Sequence, residues 1–175
     1  QVQFNYRTDA LVDAAMTDTH KTYLSNAEAV TFQNVNESLA DLETPLITWK
    51  GKAMSLDSKV AVKYIFDPGT YADRTEELVL KVNYVNYNGQ PAEVILTNPE
   101  LYDGEHERYA FTFDGLLAAE LRTVLSAQIY SGDSPVSATL VYSPDTYGNG
   151  KTDTLGQLCK ALFAYSDSAK AYFTN

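Results

Sequence analysis

The stretch from Thr152 to Phe173, TDTLGQLCKALFAYSDSAKAYF, has an apolar stripe that the rest of the fold must cover. Its apolar residues recur at steps of three and four, a spacing that aligns side chains along one side of an α-helix. A short polar side chain at Thr152 or Asp153 can begin the helix by accepting a hydrogen bond from the first turn. On this stripe Leu162 faces the core and Phe163 lies at the margin. The predicted stripe comprises Leu155, Leu158, Cys159, Leu162, Tyr165, Ala169, Tyr172 and Phe173.

The chain that precedes this helix alternates apolar and polar residues in short segments, the pattern of half-buried strands. Turn signals such as Asp67-Pro68-Gly69 and Asn88-Gly89 separate the segments. The apolar faces of these strands and the apolar stripe of the helix must both be buried. We therefore predict an antiparallel β-sandwich with the C-terminal helix packed on it. The strand-like segments are 46–50, ending at Gly51, then 58–66, 78–87, 92–97, 109–113, 124–130 and 136–142, with one helical turn at 116–121.

A length of 175 residues favours a single domain with a core of its own. We divide residues 1–175 into an N-terminal arm and helix region (1–43), a β-sandwich body (44–143) and the C-terminal helix (152–173). Residues 1–6 resemble a strand, and residues 8–24 fit a short amphipathic helix. Because the sequence starts with Gln1 rather than Met, we expect a segment of a longer protein.

The composition bounds the choice of partners. A formal net charge of −10 at pH 7 argues against nucleic acid and anionic membrane, since both need a face rich in lysine and arginine. No apolar run has the length of a membrane span. The single cysteine, Cys159, lies on the predicted helical stripe, where we expect a buried apolar side chain rather than a reactive thiol. We expect a monomer.

The order of several short motifs resembles a poorly characterised β-sandwich module of large extracellular, including cellulosomal, proteins from gut and rumen Clostridia such as ruminococci. The resemblance covers Thr44 to Phe173. Two features depart from it: Ser166 stands where glycine is usual, and 142–147 lacks the usual alanine. The matching residues are Gly51, Ser55-Leu56, Val60-x-Val62-x-Tyr64-x-Phe66, Tyr109-x-Phe111-x-Phe113, Ala118-Ala119-Glu120-Leu121, Tyr130, Tyr142-Ser143, and the helix pattern Leu158, Ala161-Leu162, Tyr165, Ala169, Tyr172-Phe173.

This resemblance implies a secreted or surface-attached multidomain protein and carries over no catalytic residue. The leading hypothesis is a non-catalytic accessory module that binds plant polysaccharide, a neutral glucan or hemicellulose. The alternative is a structural or protein-binding spacer that contacts neighbouring modules of the same chain. An independent hydrolase is the third hypothesis, because carboxylates are abundant.

Two fragments resemble parts of a GDS-type hydrolase. Gly132-Asp133-Ser134 resembles its serine motif, and Asp103-x-x-His106 resembles its acid–base pair. The pair precedes the serine here, whereas it follows the serine in that family, and the alternating helices of an α/β hydrolase are missing. Since Gly and Asp also belong in turns, we expect turns at both places and no enzyme activity.

The loop before the C-terminal helix contains Asp145, Asn149 and Asp153 around two glycines. Oxygen ligands on a glycine-containing turn suit Ca²⁺, although the spacing is not that of an EF-hand. We predict no cofactor, with calcium at these three residues as the alternative to a solvated loop that caps the helix.

A glycan site is predicted on the hairpin that contains Asn83 and Tyr87. If Leu78, Leu80 and Val82 face the core, alternation turns Asn83 and Tyr87 outward. A tyrosine ring can stack on the apolar face of a sugar while an amide bonds its hydroxyl groups. Trp49 or Tyr71 is the expected second platform, unless these rings belong to the core and to a loop cover.

Overall fold

The computed structural model describes residues 39–40, 45–56, 59–148, 151 and 153–174. The strand predicted at 1–6, the helix predicted at 8–24 and Asn149 lie outside these described residues. The described elements are the strands β1 (Leu39–Ala40), β2 (Thr48–Leu56), β3 (Val60–Asp67), β4 (Leu78–Val85), β5 (Pro91–Thr97), β6 (Glu100–Asp103), β7 (Arg108–Phe113), β8 (Leu125–Ser131), β9 (Ser134–Pro135) and β10 (Thr139–Tyr142), the helices α1 (Pro144–Gly148) and α2 (Thr154–Thr174), and three short 3-10 helices (Gly69–Tyr71, Thr75–Glu77, Ala118–Glu120).

The strands form two antiparallel sheets, which confirms the predicted mainly-β architecture with a C-terminal helix. One sheet has the order β1-β10-β8-β4-β5, with β9 paired to β8, and the other has the order β2-β3-β7-β6. The sheets enclose the main core, because Val62, Tyr64 and Phe66 of β3 and Leu78, Leu80 and Val82 of β4 are all buried. Phe66 and Phe111 stack there with ring centroids 5.4 Å apart.

Strand β2 is longer than predicted. It continues through Gly51 to Leu56 instead of ending at the glycine. The pairing of β2 with β3 shifts by one residue between Trp49 and Gly51, so the strand passes through a bulge at Lys50 and continues beyond the glycine. Glycine therefore marks an irregularity inside a strand at this place rather than its end.

Helix α2 begins as predicted but buries a different face. The carboxylate of Asp153 accepts a hydrogen bond from the backbone N–H of Gly156 at 3.0 Å, which caps the first turn. Phe163 is completely buried, whereas Leu158 is 39% and Tyr172 is 80% exposed, so the prediction that Phe163 lies at the margin is wrong. The buried residues of α2 are Gly156, Cys159, Phe163, Ala164 and Ser166.

The start of the helix lies close to the loop that precedes it. A Cβ at Gly156 would clash with the backbone oxygen of Lys151, so the glycine permits a close approach that a larger residue would block. Cys159 and Phe163 then reach Met54 and Leu121, with which they form a second core cluster. Spacing alone does not distinguish this face from the neighbouring one, because apolar residues also occur on the other side of the helix.

The second cluster defines one end of the sandwich, which we call the helical end. The tip of the β2–β3 hairpin, the 3-10 helix Ala118–Glu120 and α2 meet there. No helix in the described part of the chain combines the length and apolarity needed to cross a membrane.

Candidate functional site

Tyr87 lies at the helical end, immediately after β4, in the turn that leads to β5. The side-chain oxygen of Asn86 accepts hydrogen bonds from the backbone N–H groups of Asn88 and Gln90, both at 3.0 Å. Gly89 has a φ of 76°, a left-handed conformation that favours glycine. The predicted Asn88-Gly89 turn is therefore confirmed, and these bonds fix the backbone on both sides of Tyr87.

A groove of about 730 Å³ separates this turn from the C-terminal half of α2. Tyr87 is half-buried in its wall, and the centroid of its ring lies 5.7 Å from that of Phe173. Phe173 is 61% exposed and makes an edge contact with Tyr172. The lining comprises Val85, Asn86, Tyr87, Asn88 and Gly89 of the turn, Ala119, Glu120, Arg122 and Thr123, and Ser166, Asp167, Lys170, Phe173 and Thr174 of α2.

Arg122 lines the groove and forms ion pairs with one residue of α1 and one residue of α2. Its Nη1 donates to Oδ2 of Asp145 at 2.7 Å, and its Nε lies 2.8 Å from Oδ1 of Asp167. The guanidinium also lies over the ring of Phe163, 5.5 Å from the centroid. Burial alone would lower the pKa of Arg122, but the two carboxylates outweigh burial and raise it. Arg122 is therefore held as a fixed cation.

Glu120 is a buried carboxylate in the same lining. Its Oε1 accepts a hydrogen bond from the backbone N–H of Tyr87 at 3.3 Å, and its Oε2 accepts one from the backbone N–H of Leu117 at 3.2 Å. The pKa of Tyr84 is raised, first by burial of its hydroxyl group and then by the negative charge of Glu120. Glu120 thus connects the hairpin turn to the 3-10 helix.

The groove combines chemical features that suit a neutral polar ligand. Two aromatic rings supply apolar faces, and the amides of Asn86 and Asn88 offer polar groups beside them. The charged groups are balanced, because the lining contains two cations, Arg122 and Lys170, and two carboxylates, Glu120 and Asp167.

The structure does not assemble the predicted platform around Tyr87. Trp49 and Tyr71 lie toward the opposite end of the sandwich, since Trp49 pairs with Phe66 near the end of β3 and Tyr71 follows that strand. Trp49 donates from Nε1 to the carbonyl oxygen of Ala138 at 2.8 Å and packs against the core. Neither ring can extend a platform at Tyr87, and the expectation of a second platform there is wrong.

Tyr71 and Asn83, the other two residues of the predicted glycan site, also lie outside the groove at Tyr87. Tyr71 is 8% exposed, with the guanidinium of Arg74 4.6 Å above its ring, so it covers a loop. Asn83 is exposed on the outer face of β4, as the alternation predicts, but it lies outside the lining of the groove. Tyr87 therefore finds its aromatic partner in Phe173.

The two described members of the calcium prediction have other partners. Asp145 is fully buried and pairs with Arg122, and Asp153 caps α2. Within the described ranges, no three histidine, cysteine, aspartate or glutamate side chains lie together as a metal site would require. The capping role that the sequence predicted for Asp153 is confirmed.

The hydrolase fragments lie in turns of different sheets. Asp103 and His106 belong to the turn between β6 and β7, where Nδ1 of His106 lies 2.7 Å from Oδ2 of Asp103. This hydrogen bond lowers the pKa of Asp103. Gly132 and Asp133 form the turn between β8 and β9 in the other sheet, and Gly132 has a φ of 58°. Both fragments are thus explained by turn geometry.

A second groove, of about 430 Å³, lies along α2 and is mostly apolar. Leu158 and Tyr165 are exposed at its edge, and an ion pair between Lys59 and Asp114 lies on its rim. Its lining comprises Leu56, Lys59, Val60, Asp114, Leu116, Ala118, Leu121, Leu158, Leu162 and Tyr165.

Sequence reasoning missed Glu120, Arg122, Lys170 and Phe173 as residues of the Tyr87 groove. The spacing of the helix predicts Phe173 on the buried stripe, whereas its side chain is 61% exposed. Arg122 and Glu120 carry no local signal, because only tertiary packing places Glu120 against the turn at Tyr87 and Arg122 against Asp167 of α2.

Comparisons with protein families, with curated proteins and with solved structures give no match to this chain.

Proposed function

We propose that this domain is a non-catalytic accessory module that binds a neutral polysaccharide in the groove between Tyr87 and Phe173. The observation that supports this proposal best is the pair of aromatic rings in one groove with amide side chains beside them. A pyranose ring presents an apolar face to an aromatic side chain and hydroxyl groups to amides and charged groups. The groove offers both kinds of partner.

The charge distribution supports a neutral ligand over an anionic one. The chain has a net charge of −10, which repels a polymer such as pectin, whereas the groove itself is balanced. We propose a neutral plant glucan or hemicellulose as the ligand class. With the resemblance noted above, the proposal includes a secreted or surface-attached parent protein.

The test is a binding titration with soluble cellohexaose, xylohexaose and mannohexaose, using wild type and Tyr87→Ala. We expect Tyr87→Ala to weaken binding by about 1–3 kcal/mol, the usual loss for an aromatic residue at the centre of a contact. The melting temperature should change little, because the ring is only half-buried and lies outside both core clusters.

The matched control is Tyr102→Ala, which removes another partly exposed ring, 48% exposed, on strand β6. Equal affinities of Tyr87→Ala and wild type would refute the site. Failure of the wild type to bind any of the oligosaccharides would refute the glycan function.

The alternative function is a structural or protein-binding spacer, and the apolar groove supports it. An apolar surface formed by the exposed Leu158 and Tyr165 beside the partly buried Leu162 suits contact with a neighbouring module of the same polypeptide. The spacer function is supported if the wild type binds no glycan and if fusion of this domain to a neighbouring module protects Leu158 and Tyr165 from solvent.

A further inference from the structure

We propose that Glu120 is the positioning residue of the Tyr87 groove, holding the hairpin wall where a ligand meets it. The ligand class rests on the proposed function, whereas the position of Glu120 rests on its own hydrogen bonds. Glu120 does not belong to the hairpin or to α2. It lies in the 3-10 helix between these elements and is only 4% exposed.

The two oxygens of Glu120 serve two different segments. Oε1 accepts the N–H of Tyr87, and Oε2 accepts the N–H of Leu117. A carboxylate has two acceptor oxygens and no donor, so it can serve both N–H groups at once. The side chain therefore acts as a bridge that sets the distance between the hairpin turn and the start of the 3-10 helix.

The bridge acts at the residue whose ring forms the groove wall. The N–H that Glu120 accepts belongs to Tyr87 itself, while Asn86 fixes the opposite side of the turn through Asn88 and Gln90. A shift of the Tyr87 backbone would move its ring relative to Phe173, which lies on a separate element. Since stacking depends on ring geometry, loss of the bridge is expected to weaken binding through a shift of the Tyr87 ring.

The substitution that tests the bridge is Glu120→Gln. Glutamine keeps the size of the side chain but offers one acceptor oxygen and one NH₂ group, so it can accept from only one of the two N–H groups. The matched control is Glu93→Gln, which makes the same change of charge at an exposed position on β5, away from the groove lining.

Two measurements separate positioning from general stability. The first is amide hydrogen exchange at Tyr87 and Leu117, with Ala127 in the centre of β8 as an internal reference. The second is the dissociation constant for whichever of the three oligosaccharides the wild type binds most tightly. We expect Glu120→Gln to accelerate exchange at Tyr87 or Leu117 at least tenfold and to weaken binding three- to tenfold. The exchange of Ala127 should not change.

The possible results are distinguishable. Unchanged exchange at both amides in Glu120→Gln overturns the positioning role, as does weaker binding that Glu93→Gln reproduces. Faster exchange with unchanged affinity shows that Glu120 is structural only and also overturns it. If the wild type binds no oligosaccharide, the glycan function fails, and the exchange data alone decide whether Glu120 holds the turn.

Discussion

The two grooves that flank α2 use the same helix in opposite ways. The groove at Tyr87 is lined by amides, both signs of charge and two aromatic rings, and the hydrogen bonds of Asn86 and Glu120 fix its wall. The groove at Leu158 is lined mainly by aliphatic side chains, with one ion pair on its rim. Between them lies Phe163, buried beneath Arg122. One helix therefore lines a polar groove on one side and an apolar groove on the other, with its buried face between them.

The largest expected effect comes from breaking that anchor. Phe163→Asp removes a fully buried ring and places a charge in the core, at a cost of several kcal/mol, comparable to the whole stability of a small domain. We expect an unfolded protein by circular dichroism and urea titration. Leu162→Asp, one residue away and only partly buried, should cost about 1–2 kcal/mol and stay folded. The reverse order of stabilities would contradict the observed orientation of α2.

A smaller effect is expected from removing the cation on the polar side. Arg122→Met takes the ion-pair partner from Asp145, which is fully buried, and this loss should destabilise the domain by about 3–5 kcal/mol. Arg74→Met is the control, because Arg74 and Glu77 are both about half exposed and their pair contributes about 1 kcal/mol or less. Equal melting temperatures of the two variants would show that Arg122 does not support the polar groove.

The smallest effect concerns the rim of the apolar groove. Hydrogen bonding to Lys59, together with its positive charge, lowers the pKa of Asp114. Stabilisation by this pair is complete above the unfolded pKa of about 3.9 and is lost as the pH falls through the lower folded value. Lys59→Met should raise the pKa of Asp114 toward its ordinary range, as measured from the carboxyl carbon chemical shift. An unchanged titration curve would mean that the pair does not form in solution.

Part of the Tyr87 site was predictable from the sequence because its causes are local. The Asn88-Gly89 turn, which forms one wall of the groove, follows from the conformational freedom of glycine. The partner of Tyr87 was not predictable, because Phe173 is 86 positions away and meets it only through the docking of α2. From the sequence Trp49 and Tyr71 are equally suitable partners, since composition carries no information about which end of a sandwich a residue occupies.

Local sequence patterns are enough to predict the main helix and most strands, the alternation of strand faces and the cap at Asp153, because each depends on neighbours within a few residues. Which face of α2 is buried depends on packing between distant segments. The helix has apolar residues on the face that contains Leu162 and on the face that contains Phe163, and local spacing gives no preference between the two faces. The choice depends on the space beside Met54 and Leu121, which Cys159 and Phe163 fill and which exists only after these distant segments have packed together.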